Sequence, residues 1–167
     1  MSDYLIDSNA LIEAKNRYYG LDFAPCFWDF LQREFGSGRI KSITHVYDEV
    51  AKGGDDLTSW LTTNLPRTFF DKADNSQDIL NIYNKIYSWA GSSGFRPYAI
   101  SEFFKGADPW LCAYAKQHGY SLVSHEVYKP NITRKIPIPN VCKAFNIEYL
   151  DTFDLIRACD VKFGLLP

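Results

Sequence analysis

Four carboxylates stand where secondary structure should change: Asp7 in YLIDSNALI, Glu49 in HVYDEVAKG, Asp108 in KGADPWLCAYA and Glu126 in YSLVSHEVY. Asp7 follows the apolar run Tyr4-Leu5-Ile6, at the point where a buried strand must end. An acid placed there rarely serves packing, because burying it costs free energy unless it is compensated. Carboxylates gathered at the edge of a parallel sheet repel one another, and a hard divalent cation is the usual relief. Asp and Glu without Cys form an oxygen donor set suited to Mg²⁺ or Mn²⁺, as one ion or two. Such ions stabilise charge on phosphodiester oxygens and lower the pKa of an attacking water, so phosphodiester hydrolysis is the expected chemistry.

The elements that must position these acids follow from pattern. Strands are expected at Tyr4–Ile6, Ile40–Ile43, near Thr68–Phe70, Ser121–Ser124 and Ile147–Leu150. Helical patterns lie between them. Ser8 and Asn9 can cap a helix beginning at Ala10 or Leu11. Pro25–Phe35 has the period of a helix, and a further helix follows Thr44 and stops at Gly53-Gly54. Leu57–Leu65 is short and ended by Pro66. In Ser76–Ala90 the residues Ile79, Ile82, Tyr83 and Ile86 form one apolar stripe. Asp108 is expected to cap a helix with Pro109 in its first turn, running to Gly119. Asp151 or Thr152 opens the last. Buried strands alternating with helices imply an α/β fold, a three-layer α/β/α sandwich around a mostly parallel sheet of about five strands. Ligands bind such sheets beyond the carboxyl ends of the strands, where strand order switches. Asp7 and Glu126 end strands there, and Glu49 and Asp108 lie in helices that start nearby.

Composition sets the bounds. The 167 residues, 46 % hydrophobic and 16 % aromatic, suffice for one domain over 1–167 with a substantial core. There is no long apolar run for a membrane span, and MSDYLIDSN lacks the pattern of a signal peptide. Cys26, Cys112, Cys142 and Cys159 are dispersed without zinc spacing, consistent with reduced thiols and a cytosolic location. The net charge of −2 offers no general affinity for nucleic acid. Local cations matter more: Lys15 and Arg17 follow the first motif, Arg39 and Lys41 precede the second, and Lys129, Arg134 and Lys135 follow the fourth. Phe103-Phe104-Lys105-Gly106 pairs aromatic rings with a cation just before Asp108, as stacking of single-stranded RNA bases would require. The competing reading places at least one of these Phe residues in the core.

LIDSNALI, ITHVYDEV and ADPWLCAYAKQHGYSLVSHE, in that order, resemble the motifs of the PIN-domain nucleases, and more narrowly of the VapC-like toxin ribonucleases. The resemblance runs from Tyr4 to about Leu150. It implies that Asp7, Glu49, Asp108 and Glu126 form an acidic quartet, with Asn9 and Ser124 at small polar positions. Glu126 departs from the more frequent Asp, and His125 precedes it where many relatives have Asn or Arg. The segment Ala73–Glu102 is longer than a minimal toxin needs, and Lys135 to Arg157 resembles a less studied PIN-like branch. Asp7 and Asp108 are then the principal metal ligands, and Glu126 completes the shell or holds a second ion. Glu49 acts through water or orients the nucleophile. Asn9 and Ser124 support carboxylates or a phosphate oxygen, and His125 is a candidate acid or base. The implied activity is a metal-dependent endoribonuclease, the toxin of a type II pair, with an RNA substrate, an antitoxin protein and a self-dimer as partners.

Plainer readings stand beside these. Asp108 could be only a cap, and Glu49 a solvated residue paired with Lys52. Asp48 offers the same chemistry on another helix face. His45 and His118 look structural. A haloacid-dehalogenase-type phosphatase would need a second Asp where Asn9 stands, and no phosphate-binding glycine motif follows the first strand. The alternative function is a PIN-like module that binds RNA or protein without cutting.

Overall fold

A computed structural model of the protein describes residues 4–164, so the ends of the expected 1–167 domain lie outside it. Five strands, β1 (Tyr4–Ile6), β2 (Ile40–Ile43), β3 (Phe70–Asp71), β4 (Ser121–Val123) and β5 (Tyr149–Leu150), form one sheet in the order β3-β2-β1-β4-β5. Every pairing is parallel, with Tyr4 opposite both Ile40 and Ser121. Strand order reverses about β1, so the crevice expected at a switch point opens between the carboxyl ends of β1 and its neighbours.

Helices cover both faces. On one, Tyr4, Ile6, Ile40 and Val123 pack with α1 (Ser8–Glu13), α2 (Pro25–Ser37), α4 (Asp56–Asn64) and α9 (Thr152–Ala158). On the other, Leu5, Ile43 and Leu122 pack with α5 (Gln77–Ser92), α6 (Pro97–Phe103), α7 (Asp108–His118) and α8 (Ile138–Phe145). The alternation of Tyr4, Leu5 and Ile6 between the two cores is the period-two pleat at work. The remaining helix, α3 (Thr44–Ala51), follows β2 directly and contributes Val46 to one core and Val50 to the other. Ser42, fully buried in β2, donates to the Ile6 carbonyl at 2.7 Å and ties the two central strands together. Among the described residues no helix is long and apolar enough to cross a membrane.

The structure corrects several boundaries. α1 begins at Ser8, not at Ala10 or Leu11, because Asp7 is itself the cap and accepts from the Ala10 N–H at 2.6 Å. Asp108 does not cap α7; Ala107 occupies the cap position and Asp108 is the first helical residue. β3 is displaced towards Phe70–Asp71 by a 3₁₀ turn at Arg67–Phe69, and β5 is shorter than the expected 147–150. α6 and α8 were not expected. Both carry Pro in their first turn, where the missing N–H costs nothing. Between α1 and α2 the chain takes a π-helical turn, Ala14–Tyr18, which no sequence pattern announced.

Candidate functional site

Asp7 is the centre of the site. Its backbone still belongs to the sheet, the N–H donating to the Val123 carbonyl at 3.1 Å, while its side chain turns back to cap α1. Only 1 % of the residue is exposed, and Oδ2 is buried without a hydrogen-bond partner. Burial pushes the carboxyl up to about 8; the nearby Ser124 hydroxyl and the hydrogen bond from Ala10 oppose this, and Asp108 and Glu126 add to the rise. Asp108 follows the same logic. Its carboxyl is pushed up to about 7, chiefly by burial and then by the charges of Glu126 and Glu49, with Lys135 opposing. The four acids therefore share one electrostatic field, as carboxylates do when no counter-charge separates them.

The two glutamates differ from the aspartates in being occupied. Glu49 accepts from the Ser8 hydroxyl and from the Ala107 N–H, each at 2.8 Å. It thus joins the starts of α1 and α7 and is not the solvated partner of Lys52. Gly106 permits this approach, since a Cβ there would lie 3.2 Å from Glu49 Oε1. Asp48, one residue earlier, points elsewhere and binds Arg67 at 3.1 Å. Glu126 accepts from Lys135 Nζ, and from the Ile138 N–H at 2.7 Å. Ser124 is buried and its Oγ accepts from the Glu126 N–H at 3.1 Å, so it braces the turn that presents Glu126. His125 shares a hydrogen bond with Thr152 Oγ1 at 2.6 Å. Burial lowers its pKa below the ordinary value, against Asp151 and Glu13.

A cleft of about 340 Å³ opens beside Glu126, lined by Asn9, Arg17, Tyr18, His125, Lys129 and Lys135 among others. Three of the expected cations therefore meet there, although Arg17 is also paired with Glu13 at 3.0 Å. Arg134 is exposed on the same 127–137 segment. Lys15 is committed elsewhere, to Asp55 at 2.7 Å and Asp56 at 2.8 Å at the start of α4. The Phe103–Gly106 stretch does not line the cleft. Phe103 is core, Phe104 packs edge-on against Tyr83 and Tyr87 of α5, and Lys105 pairs with Glu102 at 2.5 Å. Trp110 is half-buried between His45 and Tyr83, and His118 packs against Tyr114 and Tyr120, so both histidines sit in aromatic clusters. Sequence reasoning missed Tyr18 and Glu13, and the single available signal was the nearness of Tyr18 to Arg17.

Whether this donor set suits a hard cation is answered by chemistry more than by preformed geometry. Among the described residues no three His, Cys, Asp or Glu side chains stand gathered as a ligand shell. Yet Asp7 Oδ2 is an orphaned buried oxygen, and burial raises the carboxyls of both Asp7 and Asp108 well above their ordinary range. A divalent cation is the group that compensates such a pair.

Comparison with known proteins places the chain by family and by fold. Residues 4–163 match a family model described as a domain of unknown function, DUF4411. Among curated proteins none matches the chain in sequence. Among solved structures, a chain of VapBC2 from Rickettsia felis, bound to a DNA fragment from their promoter, superposes with a TM-score of 0.53. It is 14 % identical over 89 % of this chain and 97 % of its own. A chain of FitAcB from Neisseria gonorrhoeae superposes with a TM-score of 0.51, at 18 % identity over 88 % of this chain and 96 % of its own. At such identities the likeness is one of fold, and that fold is the PIN-like α/β/α sandwich which the motifs resemble.

Proposed function

The chain belongs to the DUF4411 family and has a PIN-like fold, and from that premise we propose that it is a metal-dependent ribonuclease. In this reading it hydrolyses RNA phosphodiester bonds as the toxin of a toxin–antitoxin pair. One observation carries the proposal: Asp7 is buried with an unpartnered Oδ2 in the field of Asp108 and Glu126. The cap of α1 uses one oxygen of Asp7; burying the second without compensation costs free energy that a bound cation would offset.

Asp7 and Asp108 would hold Mg²⁺ or Mn²⁺, with Glu126 joining them on release from Lys135. The bound ion would supply charge neutralisation at the scissile phosphate and a more acidic water. Glu49 ties the start of α7 to the start of α1 through Ala107 and Ser8, and so would hold Asp108 within the field of Asp7. Lys135, Lys129 and Arg17 bind the phosphates flanking the scissile bond, and Lys135 exchanges Glu126 for a phosphate as substrate enters. His125, tied to Thr152 at the wall of the cleft, positions substrate. By analogy with the VapBC2 and FitAcB assemblies, the partner would be an antitoxin protein.

The decisive experiment is cleavage of structured and unstructured RNA by the purified protein in Mg²⁺ or Mn²⁺, beside Asp7→Asn. Metal-dependent cutting abolished by the substitution is the expected result. Absence of both cutting and metal binding in the wild type overturns the proposal in favour of a non-cutting binding module.

A further inference from the structure

The π-helical turn at Ala14–Tyr18 is fixed from behind. Tyr19 N–H reaches back to the Ala14 carbonyl at 2.6 Å, and the Tyr19 carbonyl accepts from Trp28 Nε1 at 2.7 Å. Tyr19 itself lies flat on Phe27, with ring centroids 4.3 Å apart and planes 9° apart. A turn wound one residue wide re-aims the side chains it carries, and such turns recur at functional sites. Here it leaves Tyr18 40 % exposed, stacked on His125 with centroids 5.2 Å apart and planes 29° apart. Phe153 meets Tyr18 edge-on at 4.9 Å and His125 at 5.6 Å, while Thr152, wholly buried, holds the imidazole. Three rings from three separate elements thus form a braced wall.

That wall is shared by two depressions of opposite character. On one side is the cleft holding Arg17, Lys129 and Lys135, together with Glu13 and Glu126. On the other is a trough of about 470 Å³ between Tyr18, His125 and Phe153 and the exposed Tyr149, with Asp151 and Asp154 in its lining. Asp151 caps α9 and Asp154 pairs with Arg157 at 2.8 Å, so the trough offers carboxylate acceptors with no cation in its own lining and suits a flat, neutral group bearing N–H donors. The basic cleft suits the phosphate itself.

We propose that the trough bounded by Tyr18, His125, Phe153 and Tyr149 is a nucleobase subsite that stacks an unpaired base of the RNA next to the scissile phosphate. This rests on the ribonuclease reading and adds where the substrate is gripped. It predicts a preference for single-stranded RNA, since a base held in a duplex cannot enter. Stacking on one aromatic ring is sequence-tolerant and strong enough to move affinity about tenfold.

The test measures binding and cleavage of a short fluorescent single-stranded RNA, intact or lacking one base beside the cut site. The proteins compared are wild type, Tyr18→Ala, Tyr18→Trp and Tyr149→Ala. Tyr18→Ala is expected to weaken binding about tenfold and to raise KM more than it lowers kcat, while Tyr18→Trp restores both. Removal of the base should weaken binding to wild type by a similar factor and add little for Tyr18→Ala. Tyr149→Ala, on the opposite wall, should show a smaller loss of the same kind. Wild-type cleavage with Tyr18→Ala unchanged, or with losses equal on intact and base-lacking RNA, overturns the subsite and leaves the nuclease standing. Failure of the wild type to bind or cut any RNA overturns both.

Discussion

Asp7 and Asp55 perform the same local task and end in opposite chemical states. Each precedes a helix in extended backbone and accepts from the N–H three residues on, Ala10 at 2.6 Å and Thr58 at 3.0 Å. Asp55 lies at the surface, where Lys15 reaches its other oxygen at 2.7 Å, and the lysine first and the Thr58 N–H second hold its carboxyl down to about 2. Asp7 lies at the carboxyl end of the central strand, its second oxygen has no hydrogen-bond partner, and burial drives its carboxyl up to about 8. The cap, then, does not decide what an aspartate does. A cap satisfies one oxygen, and the tertiary surroundings of the second determine whether the residue serves stability or chemistry.

The sharpest way to break this contrast is Asp7→Asn. Asn caps as well as Asp, so α1 should persist; Mn²⁺ is expected to raise the Tm of the wild type, and both that rise and RNA cleavage should vanish in the variant. Cleavage that survives the change would remove Asp7 from the site.

Next in size is pH. Between the ordinary carboxyl value of 3.8 and the raised values of about 8 and about 7, folded Asp7 and Asp108 hold protons that the unfolded chain has released. The metal-free protein should therefore lose stability as pH climbs through that window, by on the order of a few kcal/mol. Asp55 has the opposite sign. Its contribution is present above about pH 4, fades as pH falls towards 2, and is small because the pair is exposed. Thermal melts in chelator at pH 5 and pH 8 test this, and Asp7→Asn or Asp108→Asn should flatten the slope. An unchanged slope in both variants would mean the pair carries no excess proton.

Glu49→Ala comes third. It leaves the Ser8 hydroxyl and the Ala107 N–H without their acceptor, which costs about 1–3 kcal/mol in denaturant melts. Cleavage should fall further than the melt explains, since Asp108 loses its brace. Smallest is Lys15→Ala, expected to shift stability by at most about 1 kcal/mol and to leave cleavage at wild-type rate. A large loss of cleavage there would return Lys15 to the RNA-binding surface and undo the contrast with Asp7.

Much of this architecture was legible in the chain. Tyr4-Leu5-Ile6 followed by Asp7, the stripe of Ile79, Ile82, Tyr83 and Ile86, and Gly119 after α7 are local signals, and local periodicity is what sequence carries. The unexpected helices fail that test for a specific reason. Their prolines suggest extended chain, and only their place in the first turn makes them compatible with helix. The π turn at Ala14–Tyr18 is a one-residue change of winding held by Trp28 and Phe27, residues that sequence does not place beside it.

By itself the sequence determined an α/β chain with parallel strands and acids at the strand ends, because hydrophobic period and capping chemistry act within a few residues. The tertiary structure decided which acids are occupied and which are not. Lys135 and Ile138 meet Glu126, and Ser8 and Ala107 meet Glu49, while Asp7 Oδ2 meets nothing. It also decided that Tyr18, and not Phe104, stands exposed beside the crevice. Those outcomes depend on contacts between segments far apart in the chain and on how much water each carboxylate retains, and neither quantity is encoded at any one position.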